Sequence, residues 1–427
     1  MPDIKPFRGI FYNLSKIELA KVVAPPYDVI FPEQQAELYE QSPYNVVRLI
    51  LGREENRYQS AAAYFQQWRS EKVLIADEVP ALYILSQTFS LPDERTVERR
   101  GFIAACKLEE FGQGTIFPHE KTLSKPKDDR FKLFMATHAM FSQIFSLYSD
   151  PNGIVNRIVE PVMNETPFCD VEFEGVKSRL WKLIESGKIL TLAEFLKRQK
   201  VLIADGHHRY ETALLYRDAQ RLTNPNHTGK EPYNFVPMFF TNMSDPGLVV
   251  FPTHRLIRSL PGFDAQKLLK DLKTFFDINN QLDATELLNQ LHRHSMHAFG
   301  LVVTQAPHFF LLTLKHQPPI RSAAAPELVM QLDVYLLHKL ILKDLLHILD
   351  EQQEKNFYLE FERDELQAIQ RVMQGQAQAV FLMNPTRVEQ VRRVAEAGFT
   401  LPQKSTYFHP KLLSGLVNYS FVKLSSE

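Results

Sequence analysis

The chain has 427 residues, 44% hydrophobic and 23% charged, a length that leaves room for two or three domains and a composition that excludes wholesale disorder. Its 49 basic and 50 acidic residues give a net charge of -1, which offers no support for a nucleic-acid partner held by bulk positive charge. Two cysteines, Cys106 and Cys169, cannot build a disulfide framework or a four-thiolate zinc site.

No run of about 18 uncharged apolar residues occurs, and the start Met1-Pro2-Asp3-Ile4-Lys5 lacks a signal-peptide core, so a cytoplasmic location with no membrane partner is expected. Along the chain, residues 45–51 (Asn-Val-Val-Arg-Leu-Ile-Leu) read as a buried strand. Residues 57–72 carry Tyr58, Ala61, Ala62, Phe65 and Trp68 at helical spacing. Strand-like runs follow at 81–89 and 101–108. The stretch 110–130 mixes Gly112, Gly114, Pro118 and Pro126 with Lys121, Lys125, Lys127 and Arg130, and reads as irregular until Pro126 opens a helix that runs through Ala139. Further strands are expected at 141–148 and 168–173.

Residues 200–204 form a short apolar run that stops at Asp205-Gly206-His207-His208-Arg209, where helical spacing begins and continues to about Leu222. A strand follows at 235–242. Beyond Pro261 the order is two helices, two strands, a long apolar helix over 326–349, and then strand, helix, strand, helix. This pattern predicts a mixed α/β fold with a first domain over 1–260 and a smaller α/β domain over 261–427, whose tail returns toward the first.

The strongest chemical candidate is Asp205-Gly206-His207-His208-Arg209. A strand entering a helix through glycine leaves backbone N–H groups directed at an incoming anion, and the helix dipole adds positive potential there. Gly206 permits close approach of a phosphate, while His207, His208 and Arg209 can add donors. Asp205 has two readings: a simple cap of the helix, or a group that binds Mg²⁺ or orients an accepting hydroxyl. Adjacent histidines diverge by about 100° on a helix, which argues against zinc.

A second polar cluster is Phe117-Pro118-His119-Glu120-Lys121-Thr122, extending to Arg130. Leu123 breaks any zinc-protease pattern. His119 or Glu120 can serve as a general base and Lys121 or Arg130 can hold phosphate, or the segment is a solvated charged loop. Asp28 in Ala24-Pro25-Pro26-Tyr27-Asp28-Val29, His254 and Arg255 after Pro252-Thr253, and Lys404 in Lys404-Ser405-Thr406-Tyr407-Phe408 are weaker candidates for substrate or supporting roles, against a plain reading as turn and surface residues.

These blocks, with Asn45-Val46-Val47-Arg48-Leu49 and His119-Glu120-Lys121-Thr122-Leu123, resemble a prokaryotic family of conserved proteins without an assigned activity, along nearly the whole chain. Gly206-His207-His208-Arg209 followed by Ala213 is similar to the G-x-x-R signature of the ParB/sulfiredoxin superfamily, which includes sulfiredoxins, CTP-hydrolysing partition proteins and free-serine kinases. That resemblance implies a nucleotide-phosphate site at this turn, in a ParB/sulfiredoxin-like N-terminal region. Sulfinic-acid repair needs a cysteine where His207 and His208 stand, and a partition protein needs a basic face that the charge balance does not provide.

The expectation is then a small-molecule kinase using ATP or ADP with Mg²⁺ and free L-serine as leading acceptor. The kinase resemblance implies a glutamate base, placed here on Glu120. The alternatives are a nucleotide-responsive binding protein and an interaction scaffold with an idle phosphate turn. A homo-oligomer is compatible with all three.

Overall fold

The computed structural model describes residues 1–120, 124–304, 308–315 and 327–424. The fold is mixed α/β and divides into two compact units, the first comprising 1–118, 122–249 and 410–427, the second 119–121 and 250–409. Thus the last segment of the chain belongs with the first unit, and a three-residue piece containing His119 and Glu120 belongs with the second.

The first unit is built on a nine-stranded sheet. Its strands are β1 (Ile4–Lys5), β2 (Leu82–Ser90), β3 (Thr96–Lys107), β4 (Ile116–Phe117), β5 (Ile144–Tyr148), β6 (Cys169–Phe173), β7 (Val176–Leu183), β8 (Val201–Asp205) and β9 (Phe235–Asn242). They lie in the order β4-β8-β5-β9-β3-β2-β7-β6, with β1 added to β3. The pairs β8–β4 and β9–β5 are parallel, whereas β8–β5 is antiparallel. All of β9 is buried, as expected of a central strand covered on both faces.

Among the described residues seven α-helices accompany this sheet: α1 (Pro32–Gln41), α2 (Val47–Ile50), α3 (Arg57–Ser70), α4 (Ser124–Thr137), α5 (Ile154–Met163), α6 (Ser186–Leu196) and α7 (His207–Thr223). The strand expected at 45–51 is instead α2. Its apolar run does fill the core, but the buried Asn45 side chain accepts from Val47 N at 2.9 Å and donates to the carbonyls of Lys21 and Val23, which starts a helical turn. A short apolar run does not distinguish a buried strand from a buried helical turn. Cys106 and Cys169 are both buried free thiols, each pushed up by burial.

The second unit has a six-stranded sheet. Its strands β10 (His254–Ile257), β11 (Phe276–Asn280), β12 (Ala298–Val303), β13 (Phe309–Leu314), β14 (Leu359–Glu362) and β15 (Ala379–Met383) run in the order β11-β13-β12-β15-β10-β14. Every neighbouring pair is antiparallel. Leu287, Leu291, Ala368 and Val372 from its helices pack against Leu256, Val302, Val380 and Leu382 of the sheet.

The single long helix expected over 326–349 is broken. Its described part is two short helices, Glu327–Met330 and Asp333–Leu336, and then a π-helix over Leu337–Leu345. The Asp333 carboxylate accepts from His297 N at 2.7 Å, and the wider π turn lets Leu337, Leu340, Ile341 and Leu342 all be buried. No described helix is long and apolar enough to cross a membrane.

Candidate functional site

The turn at Gly206 is made by strand irregularity and glycine together. The register of β8 against β5 shifts between Ile203 and Asp205, a bulge that re-aims Asp205 as the strand ends. Gly206 follows with φ 92°, a left-handed conformation, and is the N-cap of α7. A Cβ placed there would meet the Arg209 guanidinium at 3.1 Å. No side chain caps α7, so Asp205 is not a helix cap.

Asp205 is instead locked between two cations. Its Oδ2 accepts from Arg209 Nη2 at 2.7 Å and its Oδ1 from Lys411 Nζ at 2.6 Å. The three side chains are 17%, 6% and 13% exposed respectively. Burial pushes the Asp205 carboxyl up, but Lys411, Arg209 and His207 outweigh it and hold the group well below the usual carboxylate range. Arg209 also donates to the Gln143 carbonyl. Gln143 is itself buried, and its Oε1 has no hydrogen-bond partner among the described residues.

Arg99, fully buried, donates to Gln87 Oε1 and to the Pro410 carbonyl. Burial pulls its guanidinium down to about 9, with Asp245 and Asp205 acting in the opposite direction.

Arg130 is buried, donates to Asp129 Oδ2 through Nε (2.8 Å) and Nη2 (2.5 Å), and lies 4.0 Å from the centre of the Tyr27 ring. Burial and Asp28 push the Tyr27 phenol up to about 12 against Arg130 and Arg209, so Tyr27 feels both arginines. Asp129 also accepts from Tyr58 and Arg57. Asp28 is exposed, His207 is buried and His208 is half-buried. Lys127, one turn into α4, pairs with Glu211 at 2.7 Å. Lys121 lies outside the described residues.

The other expected site residues gather in the second unit. His119 is buried, with Nε2 2.9 Å from Thr406 Oγ1 and its carbonyl accepting from Leu401 N. Glu120 Oε1 accepts from Lys404 N at 3.0 Å, and Lys404 itself holds a left-handed φ of 57°. Arg255 donates to the carbonyls of Thr253 and Lys404 and to His338 Nε2. His254 Nδ1 accepts from Met383 N, and burial followed by Arg255 pulls the ring down to about 3, leaving it neutral.

The expected residues therefore sort into two clusters. Asp28, Arg130, Asp205, Gly206, His207, His208 and Arg209 belong to the first unit, and His119, Glu120, His254, Arg255 and Lys404 to the second. Sequence reasoning missed Lys411, Arg99, Gln143, Tyr27 and Asp129. Asp129 and Tyr27 carried a local signal, their positions beside Arg130 and Asp28; Lys411, Arg99 and Gln143 reach the cluster through tertiary folding alone.

Residues 4–335 match the family described as protein of unknown function, DUF1015. The chain belongs to this family. No curated protein matches it. Among solved structures, this DUF1015 protein is similar to a conserved hypothetical protein from Pyrococcus furiosus, at 14% identity and a TM-score of 0.34 over 70% of this chain and 90% of that one. It is similar also to a free serine kinase in complex with AMP, at 14% identity and TM-score 0.36 over 70% and 88%. A third is SbnI with C-terminal truncation from Staphylococcus aureus, at 10% identity and TM-score 0.35 over 71% and 83%. Likeness of this degree leaves the activity of the DUF1015 chain to be argued from its own residues.

Proposed function

We propose that this protein is a small-molecule phosphotransferase with a ParB/sulfiredoxin-like phosphate turn, moving a phosphoryl group from ATP or ADP to a hydroxyl, with free L-serine as the leading acceptor. The observation that carries the reading is the start of α7. A helix without a side-chain cap begins at a left-handed glycine, beside two cations gathered on one ionised carboxylate. Such a helix start favours an anion through backbone donors and dipole, and Gly206 offers no Cβ to block its approach. Lys411 and Arg209 supply positive charge where the transferring phosphoryl oxygens would lie, and His207 and His208 begin the same helix.

In this reading Asp205 is a positioning residue. A carboxylate held so far below its usual range is a poor proton acceptor, but its two oxygens hold Lys411 and Arg209 in place. The turn does not fit Mg²⁺ held by protein: both Asp205 oxygens carry a cation, and no group of three or more His, Cys, Asp or Glu among the described residues could hold a metal.

The same observation supports a second reading, a nucleotide-responsive binding protein that holds phosphate without transferring it, because the anion site is furnished with cations and its one carboxylate is too acidic to be a base.

A thermal-shift screen of ATP, ADP, CTP and GTP, each with and without L-serine, tests both. A nucleotide at 100 times its dissociation constant adds about 2.7 kcal/mol of stability. A shift enhanced by serine, with phosphoserine appearing in solution, is the expected result. A shift indifferent to serine and without phosphoserine selects the binding protein, and no shift with any nucleotide overturns both readings.

A further inference from the structure

The second unit contains a cavity of about 530 Å³, within the range that small-molecule ligands occupy. The π-helix Leu337–Leu345 contributes His338, Lys339 and Lys343 to its lining. Asp350, Gln353 and Glu354 add acidic and amide groups, and Tyr335, Phe361 and Phe399 add aromatic surface.

Part of this lining is held rigid by buried polar bonds. Arg255, 1% exposed, donates to His338 Nε2 at 3.3 Å and lies 5.2 Å from the centre of the Phe361 ring. The His338 Nδ1–H donates to Gln353 Oε1 at 2.8 Å, and Gln353 Nε2 donates to the carbonyls of His338 and Ile348. Burial, with Arg255 beside it, pulls the His338 ring down to about 3, which fits a neutral ring that accepts at Nε2 and donates at Nδ1. These groups are occupied with one another and give the cavity shape more than recognition.

Recognition falls to the remaining charges. Lys343 pairs with Asp350, and both line the cavity. Lys339 pairs with Asp344 at 3.2 Å, while Glu354 is exposed and has no ion pair among the described residues. A ligand that is only an anion meets Asp350 and Glu354 as repulsion, and one that is only a cation meets Lys339 and Lys343 the same way. A zwitterion satisfies both signs at once, and its apolar portion finds the aromatic surface.

We propose that this cavity binds a free zwitterionic α-amino acid with an apolar side chain, its carboxylate on Lys343 and Lys339, its ammonium on Glu354 and Asp350, and its side chain against Phe361 and Phe399. The site is independent of the phosphotransfer reading, because every lining residue belongs to the second unit.

Calorimetric titration of the full chain tests it with L-phenylalanine, L-leucine, 3-phenylpropanoate, which keeps only the anion, and phenethylamine, which keeps only the cation. Phenylalanine should bind about tenfold more tightly than either half-ligand, the worth of one charge-assisted contact. Lys343→Met should weaken phenylalanine and phenylpropanoate but spare phenethylamine, and Glu354→Gln should weaken phenylalanine and phenethylamine but spare phenylpropanoate. Melting temperatures establish that both variants remain folded. The proposal is overturned if neither amino acid binds, if phenylalanine binds no more tightly than its better half, or if neither variant changes its affinity.

Discussion

The two units each bury an arginine and accommodate it in opposite ways. In the first, Arg209 meets the Asp205 carboxylate at 2.7 Å, with Lys411 on the other oxygen. In the second, Arg255 donates to two carbonyls and a neutral imidazole, with Glu120 as the acid that acts on it through space. The consequences fall on different partners. Paired charge holds Asp205 well below its usual range, whereas neutral acceptors and the field of Glu120 do not offset desolvation, and burial pulls Arg255 down to about 9. Arg99 of the first unit, bonded to an amide oxygen and a carbonyl, falls to the same value. A carboxylate that the fold brings to a buried guanidinium is held low by it and becomes a poor proton acceptor, whereas a buried guanidinium that donates only to neutral acceptors is itself pulled down.

The sharpest way to break this comparison is to neutralise the acid. Asp205→Asn leaves Lys411 and Arg209 buried without their counter-charge and should cost about 3–5 kcal/mol in urea denaturation. Adding Lys411→Met to that variant should restore part of the loss. A cost below about 1 kcal/mol, the size of an exposed pair, would show that Asp205 is not the counter-ion described here.

Arg255→Met should cost less, about 2 kcal/mol, because the acceptors it leaves unpaired are mostly neutral and no charge is stranded by the change. A loss equal to that of Asp205→Asn would erase the distinction between the two sites. Gly206→Ala forces an L side chain into φ 92° against the Arg209 guanidinium and should destabilise by about 1–2 kcal/mol, read in the same experiment.

Acid should sharpen the comparison further. His254 and His338 are depressed to about 3 in the fold, so their contribution is fully present above the ordinary histidine pKa of about 6.5 and is lost as pH falls from there toward 3. Asp205 is also depressed, so its contribution is present above about pH 3.9 and is lost only below that. Hydrogen exchange at pH 7 and pH 5 should therefore show weakened protection in the second unit, about 2 kcal/mol per histidine, with the β8–α7 region of the first unchanged. Equal weakening in both regions would contradict the assignment.

Much of the local structure was legible in the residues. The apolar run at 200–204 and the helical spacing after it correspond to β8 and α7 within about a residue, since strand and helix periods differ and glycine separates them. The same holds for the strand over Phe235–Asn242, and α3 begins at Arg57 as expected and ends two residues early. Where periodicity was ambiguous the reading failed. Residues 46–51 are apolar except for Arg48 and show neither a clear alternation nor a helical stripe, so Asn45 decided the outcome through bonds to Lys21 and Val23, more than twenty residues away. The apolar stretch after Pro326 has helical spacing throughout, yet Asp333 is drawn to the His297 backbone and the turns beyond it widen to the π form.

The candidate site divides along the same line. Residues adjacent in the chain, Asp205 to Arg209, could be grouped by inspection because a strand, a left-handed glycine and a helix are local events, each governed by a few backbone dihedrals. Their chemical state could not. Whether Asp205 caps a helix, binds a metal or neutralises cations depends on Lys411, and that lysine lies 206 positions away. Nor did the chain reveal that Arg255, His338 and Gln353 form one hydrogen-bonded series within the second unit. Hydrophobic pattern and glycine placement act over one or two turns of chain, so the sequence by itself determined most of the elements and their order. Charge pairing and desolvation depend on what is packed alongside, and only the tertiary structure decided those.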